Sequence, residues 1–136
     1  MEPEIIKIQL FDKREQYTTS LYVQQLSEDT FRMIENELFN CRLTYGTEFK
    51  TRINKNGEHE IIRIINNSDF ITRRFFLSSQ FKESEYRVLG DEIMRQGGFW
   101  QVDFGSIATI NLPRNCELDI DEIFKAFDFK PGEIVD

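Results

Sequence analysis

The sequence predicts an α+β fold, with an antiparallel β half at the N-terminus followed by a β-α-β-β-α unit. Three observations lead there. Apolar and polar residues alternate early in the chain at the period of a half-buried strand, an Asn-Gly pair sits between two alternating runs near the middle, and helical spacing of apolar residues begins only after residue 80. At 136 residues the chain is the size of one ordinary domain. Its 13 Phe and 40% hydrophobic content supply enough apolar surface to offset the entropy of ordering, which excludes a disordered chain. No repeat or linker tract divides it, so a single domain over 1–136 is expected: 1–66 mainly β, 67–128 the β-α-β-β-α unit, 129–136 a tail.

Ile6, Ile8 and Leu10 alternate with Lys7 and Gln9, and Leu21 and Val23 alternate with Tyr22 and Gln24, which predicts two half-buried strands. A shorter strand is expected over 30–34, while 38–43 is too mixed to assign. Asn56-Gly57 suits the two positive φ angles of a type I′ turn and predicts a long hairpin. With those two as the loop, Arg52 faces Ile61, Lys50 faces Arg63 and Phe49 faces Ile64. One side of the hairpin then carries Phe49, Thr51, Ile53, Ile62 and Ile64 as core, and the other carries Lys50, Arg52, His59, Ile61, Arg63 and Ile65. After the turn cluster 66–69, residues 70–77 read as a strand rich in aromatic and β-branched side chains.

Residues 84–95 place Val88, Leu89, Ile93 and Met94 at helical spacings, with Gly97-Gly98 as the stop. Strands are expected over 99–104 and 106–112, hinged at Gly105. Asp119 and Glu122 fit a capping arrangement for a helix whose apolar face is Ile123, Phe124 and Phe127, and Pro131-Gly132 breaks the tail.

Several chemistries lack their residues. The chain has no Walker loop, G-x-G-x-x-G, G-x-S-x-G or H-E-x-x-H pattern. One histidine cannot supply a multi-histidine metal site, and Cys41 and Cys116 are isolated, so no catalytic residue, metal site or cofactor is assigned. His59 alternates away from Glu58 and Glu60, which reads as a solvated hairpin tip. The acidic trio Asp119, Asp121 and Glu122 reads as a helix N-terminus, where carboxylates meet the favourable end of the helix dipole, ahead of a divalent-metal cluster.

The charge is uneven. The chain carries 24 acids and 17 bases, net -7, yet residues 41–80 hold 4 acids and 7 bases between flanks of net -4 and -6. Lys50, Arg52 and Arg63 share the basic hairpin, and their repulsion needs an anion: the protein's own carboxylates, a partner's, or a phosphate. Arg73-Arg74 send one guanidinium to each face of a strand, so one is paired or faces a ligand if both faces are covered. With one wet face, one is solvated and the other lies on the sheet rim with its stem buried. Trp100 alternates with Phe99, so one of the two is core and the other stands at a rim or interface. These residues, Lys50, Arg52, Arg63, Arg73, Arg74 and Trp100, are the candidate binding set.

The stretches Ser20-Leu21-Tyr22-Val23, Thr30-Phe31-Arg32, Ile61-Ile62-Arg63-Ile64-Ile65 and Ile107-Ala108-Thr109-Ile110-Asn111-Leu112-Pro113 resemble small bacterial α+β domains of unknown function. The resemblance implies a bacterial α+β domain and transfers no activity and no catalytic residue. The acidic opening and the lack of an 18-residue apolar run predict a soluble, cytoplasmic protein with no membrane partner. Its leading expected function is a non-catalytic binding or regulatory module, immunity-like or adaptor-like, that engages a protein through acidic surface. Two alternatives stand: phosphate or nucleic-acid binding at the basic hairpin, with Tyr45 or Trp100 stacking, and an enzyme built from dispersed Asp, Glu, Arg and Tyr. An exposed edge strand would allow pairing with a second copy.

Overall fold

In a computed structural model, which describes residues 4–37, 42–77, 83–125 and 131–134, the chain forms two compact units, Met1–Asp69 and Phe70–Asp136. The first is a five-stranded barrel. Its strands β1 (Glu4–Asp12), β2 (Tyr17–Gln25), β3 (Thr30–Met33), β4 (Glu48–Ile53) and β5 (His59–Asn66) follow one another as an antiparallel meander, and β5 returns to β1. A meander with an odd number of strands brings first and last together in the same direction, and β1 meets β5 as a parallel pair at Leu10 and His59.

Alternation places the core as expected in β1 and β2. Ile8 and Leu10 pair with Leu21 and Thr19, and Ile8, Leu10, Leu21 and Val23 are buried while Gln9 and Tyr22 face out. Phe31 and Met33 from β3, Phe49 from β4 and Leu43 complete the interior, with Phe31 and Phe49 ring centroids 5.9 Å apart. Each such side chain contributes roughly 1.5–3 kcal/mol by leaving water.

The hairpin departs from its expected register. Asn54 O accepts from Gly57 N–H at 3.1 Å, and the backbone at Asn54 and Glu58 closes a three-residue loop. Gly57 alone takes a positive φ, of 78°. This is the pattern of a tight turn followed by a glycine bulge, which adds a residue relative to a type I′ turn. The Asn54 side chain selects it by accepting from the N–H groups of Asn56 and Glu58 at 2.9 and 3.0 Å. Arg52 therefore faces Glu60, and a second irregularity between Lys50 and Thr51 restores Lys50 opposite Arg63. Phe49 and Thr51 are buried as expected, but Ile53 and Ile62 are 58% and 52% exposed, and Glu60 turns inward instead.

In the second unit, β6 (Phe70–Phe76), β7 (Phe99–Asp103), β8 (Ile107–Pro113) and β9 (Gly132–Ile134) form an antiparallel sheet in the order β7-β8-β6-β9. One face packs α1 (Glu83–Arg95) and the five-residue α2 (Ile120–Phe124) through Phe75, Leu89, Ile93, Ile110, Leu112, Ile120 and Phe124. Leu89 and Ile93, one turn apart, are the buried stripe of α1, and Val88 and Met94 lie off it and are exposed. Asp119 caps α2 by accepting from Glu122 N–H at 3.2 Å, but Glu122 does not reach back; its carboxylate takes Lys125 Nζ at 2.6 Å. Phe127 and Cys41 lie outside the described residues.

The expected α+β class is thus corrected. Among the described residues the chain is mostly strand, nine strands against two helices, in two sheets that are antiparallel except at the barrel seam. The second half is not a β-α-β-β-α unit of the α+β type. Its last helix lasts little more than one turn, and residues 132–134, expected as tail, add a strand to the free edge of β6.

Gly97 and Gly98 end α1 as the sequence suggests. Gly98 N–H donates to Ile93 O at 2.9 Å and Gly97 N–H to Met94 O at 3.1 Å, with Gly97 at φ 84°, which is a Schellman motif. A Cβ at Gly98 would collide with the Asn111 carbonyl oxygen of β8 and stand 2.9 Å from Ile93 Cγ2. Gly98→Ala is therefore expected to destabilise the protein by about 1–3 kcal/mol, read as a lower urea midpoint, because backbone and not a mobile side chain must yield.

Candidate functional site

The expected basic hairpin is largely satisfied by the barrel's own carboxylates. Lys50 Nζ lies 3.6 Å from Asp29, and an Arg52 guanidinium nitrogen lies 3.5 Å from Glu60. Arg32 on the neighbouring strand donates to Glu48 at 2.7 and 2.8 Å, and Asn66 foremost, then Arg32, holds the Glu48 carboxyl below its usual range. Arg63 is exposed.

The tandem arginines belong to the second unit. Arg73 lies over the Phe75 ring, 5.1 Å from its centroid, and donates to Glu133 at 2.9–3.3 Å and to Asp121 at 3.1 Å. It ties β9 and the start of α2 to β6, a structural role. Arg74 is half-buried and also engaged. Trp100 is half-buried against the core clusters, and a Cβ on Gly90 of α1 would stand 3.0 Å from its ring. It is packing rather than a displayed aromatic.

The displayed aromatic is one the sequence reading had assigned to a strand. Phe104 sits at the tip of the β7–β8 hairpin, 78% exposed, at φ 55°, and Gly105 follows at φ 67°. Ser106 N–H donates to Asp103 O at 3.1 Å and closes the turn. Two consecutive positive φ angles are the signature of a type I′ turn, so that geometry, expected at Asn56-Gly57, occurs at Phe104-Gly105. Exposed Phe76 and Val102 lie at the same end of the sheet, on strands whose Phe76 and Asp103 both pair with Ile107. The one local signal for this tip was the Phe-Gly dipeptide, which propensity rules place in a turn only through its glycine.

A second feature lies at the barrel seam. β1 and β5 pair at Leu10 and His59 and then part, leaving a cleft of about 220 Å³ lined by Asp12, Lys13, Arg14, Arg42, Arg52 and Glu60 above Leu10, Phe11 and Ile61. Glu60 is 8% exposed. Its Oε2 accepts from Asn54 Nδ2 at 3.1 Å, while Lys13 and Arg52 converge on Oε1 at 3.3 and 3.5 Å. Asn54 foremost, then Lys13 and Arg52, hold this carboxyl below its usual range. Of the expected binding set only Arg52 reaches the cleft. Lys13, Arg14, Arg42 and Glu60 were missed because β1 and β5 are distant in sequence, and Lys13-Arg14 reads locally as a solvated turn.

His59 is not at a solvated tip. Its ring lies edge-on to Phe31 at 5.1 Å and its Nδ1 is 2.8 Å from the Thr51 hydroxyl. Among the described residues, no three His, Cys, Asp or Glu side chains are grouped to hold a metal, and no helix is long and apolar enough to cross a membrane. Cys116 is half-buried, its Sγ accepting from Leu118 N–H.

No family model matches the chain, and no curated protein matches it. A solved structure described as a hypothetical protein from Neisseria gonorrhoeae is similar, with a TM-score of 0.57 at 14% identity over 92% of this chain and 86% of that one. That likeness is one of fold, to a domain with no stated function.

Burial lowers the His59 pKa from 6.5, so the unfolded state binds its proton more readily than the folded state does. Stability from this group is present above pH 6.5 and is lost as pH falls from there through the lower folded value. Glu48 and Glu60, depressed from 4.5, keep their contribution until pH falls below 4.5. In urea titrations at pH 8, 6 and 5, His59→Gln, which keeps a partner for Thr51, is expected to flatten the decline; an unchanged profile would locate the titration elsewhere.

Proposed function

We propose that this chain is a bacterial, cytoplasmic protein-binding module, immunity-like or adaptor-like, that engages a basic partner through acidic surface and the Phe104 hairpin tip. The observation that carries this reading is the conformation of Phe104. A bulky residue in the left-handed region costs about 1–3 kcal/mol, and folding recovers none of it through burial, since the ring is 78% exposed. Asn at that place would suit the turn better. An aromatic kept at a strained, solvated tip suits an anchor that fills a partner's pocket.

The charge supports a basic partner. Ion pairs are neutral, so the surplus of -7 falls on groups outside them. Phe70–Asp136 holds 12 acids and 8 bases, and Glu117 and Asp119 are exposed and outside the ion pairs of the described residues. Such a surface steers association with a protein of opposite sign and suppresses wrong partners. The internal pairing of Lys50 with Asp29 speaks against nucleic acid on the outer hairpin face. The Neisseria neighbour is in keeping with a bacterial setting.

Phe104→Asn separates the anchor from the fold. It is expected to raise stability by about 1 kcal/mol, read by thermal unfolding, and to weaken binding at least tenfold to the basic protein that wild type captures at low salt and that mass spectrometry identifies. Undiminished binding of that protein by the variant would overturn the reading.

A further inference from the structure

The barrel seam carries a different kind of site. We propose that its cleft binds the phosphate group of a small ligand, with Lys13 and Arg52 as the clamp and Arg14 at the rim. The clamp comes from two strands that part after a single pair, so cations reach the opening from both sides: Lys13 from the turn after β1 and Arg52 from β4, across from Glu60 of β5.

The cations are held but not saturated. Both converge on one oxygen of one carboxylate, at 3.3 and 3.5 Å, where a charge-assisted hydrogen bond is about 2.7–2.9 Å long. The other oxygen of Glu60 is given to Asn54. Lys13 and Arg52 are 62% and 61% exposed at their side chains, so each keeps donors directed at solvent within the opening. Among the described residues Arg14 forms an ion pair only with Glu15, 3.9 Å away at the open surface, and Asp12 is occupied in accepting from the N–H groups of Arg14 and Glu15. With Arg42 set aside, three cations face two carboxylates in the lining.

A phosphate suits this arrangement better than a carboxylate does. Its tetrahedral oxygens accept from donors arriving on opposite sides, as a guanidinium fork and an ammonium do here, whereas a carboxylate is satisfied by one fork. Glu60 beneath the clamp holds both donors in place before the anion arrives, which lowers the ordering cost of binding. The volume of about 220 Å³ is below that of a drug-sized pocket, so the phosphate group fills the cleft and any organic part lies at its open mouth.

Calorimetric titration of the full chain at low ionic strength with inorganic phosphate, ADP and adenosine tests this. Phosphate or ADP is expected to bind and adenosine not; binding of both anions alike assigns the site to the free anion, and tighter ADP binding assigns it to a phosphoester. Lys13→Gln and Arg52→Gln, at exposed positions, are expected to weaken binding at least tenfold, and Arg63→Gln on the outer face to leave it unchanged. Glu60→Gln, whose amide oxygen still accepts from both donors while the charge that repels an anion is gone, is expected to tighten it, a sign that mere loss of packing would not produce. No binding of either anion, equal binding by the clamp variants, or displacement of both anions by a single-stranded oligonucleotide of higher affinity would overturn the proposal.

Discussion

Closure of an odd-stranded meander governs the first unit. Five strands in succession leave β1 and β5 parallel, and parallel neighbours joined through a meander share no hairpin to hold them in register. Here they meet at Leu10 and His59. That contact seals an interior of Ile8, Leu10, Leu21, Val23, Phe31, Met33, Leu43 and Phe49, and without it one side of these residues would face water. The irregularities between β4 and β5 belong to the same constraint, because a bulged strand bends and twists more strongly and can curl back toward β1. The seam also explains the polar features of the barrel: His59 lies against Phe31, Glu60 turns inward, and the strands then part to leave a cationic cleft.

In the second unit one cation adds to the apolar core and the β6–β9 ladder. Arg73 occupies the helix-covered side of β6, a position that would be unfavourable for an isolated charge, and Glu133 and Asp121 neutralise it while Phe75 supports its planar face. Its partners lie on β9 and α2, so a single side chain draws two short elements onto the sheet. Neither element is long enough to be stable alone: three residues of strand and five of helix fall well below the lengths at which isolated structure persists. At the other end of the sheet, the strain at Phe104 has no such compensation within the fold. Arg73 is answered by its neighbours, whereas Phe104 stands exposed in a strained turn.

Much of the local structure was legible in the sequence. Alternation in β1 and β2, the α1 stripe at Leu89 and Ile93, the glycine stop at Gly97-Gly98 and the Asp119 cap all depend on neighbours within a few residues, and each appears in the structure. The hairpin register failed by one residue near the tip because the Asn54 side chain, not the Asn56-Gly57 dipeptide, selects the turn. That shift exposed Ile53 and Ile62, which alternation had assigned to the core. The class was misjudged for a related reason: capping residues show that a helix starts but not how far it runs, and β9 exists only because β6 offers it an edge. Trp100 packs against the core, one of the two outcomes its alternation with Phe99 allows, and Phe104, expected as the last residue of a strand, stands in the turn.

What the sequence determined by itself is the period, the punctuation and the charge of its segments, because these follow from backbone sterics and hydrogen bonding over a few residues. The tertiary structure alone decided how the charge is used. Carboxylates from distant positions reach Lys50, Arg52 and Arg73, and the meeting of β1 with β5 gathers Lys13, Arg14, Arg52 and Glu60 around one opening. Ion pairing depends on separation in space, at about 3–4 Å, and separation along the chain says nothing about it until strand order and register are set.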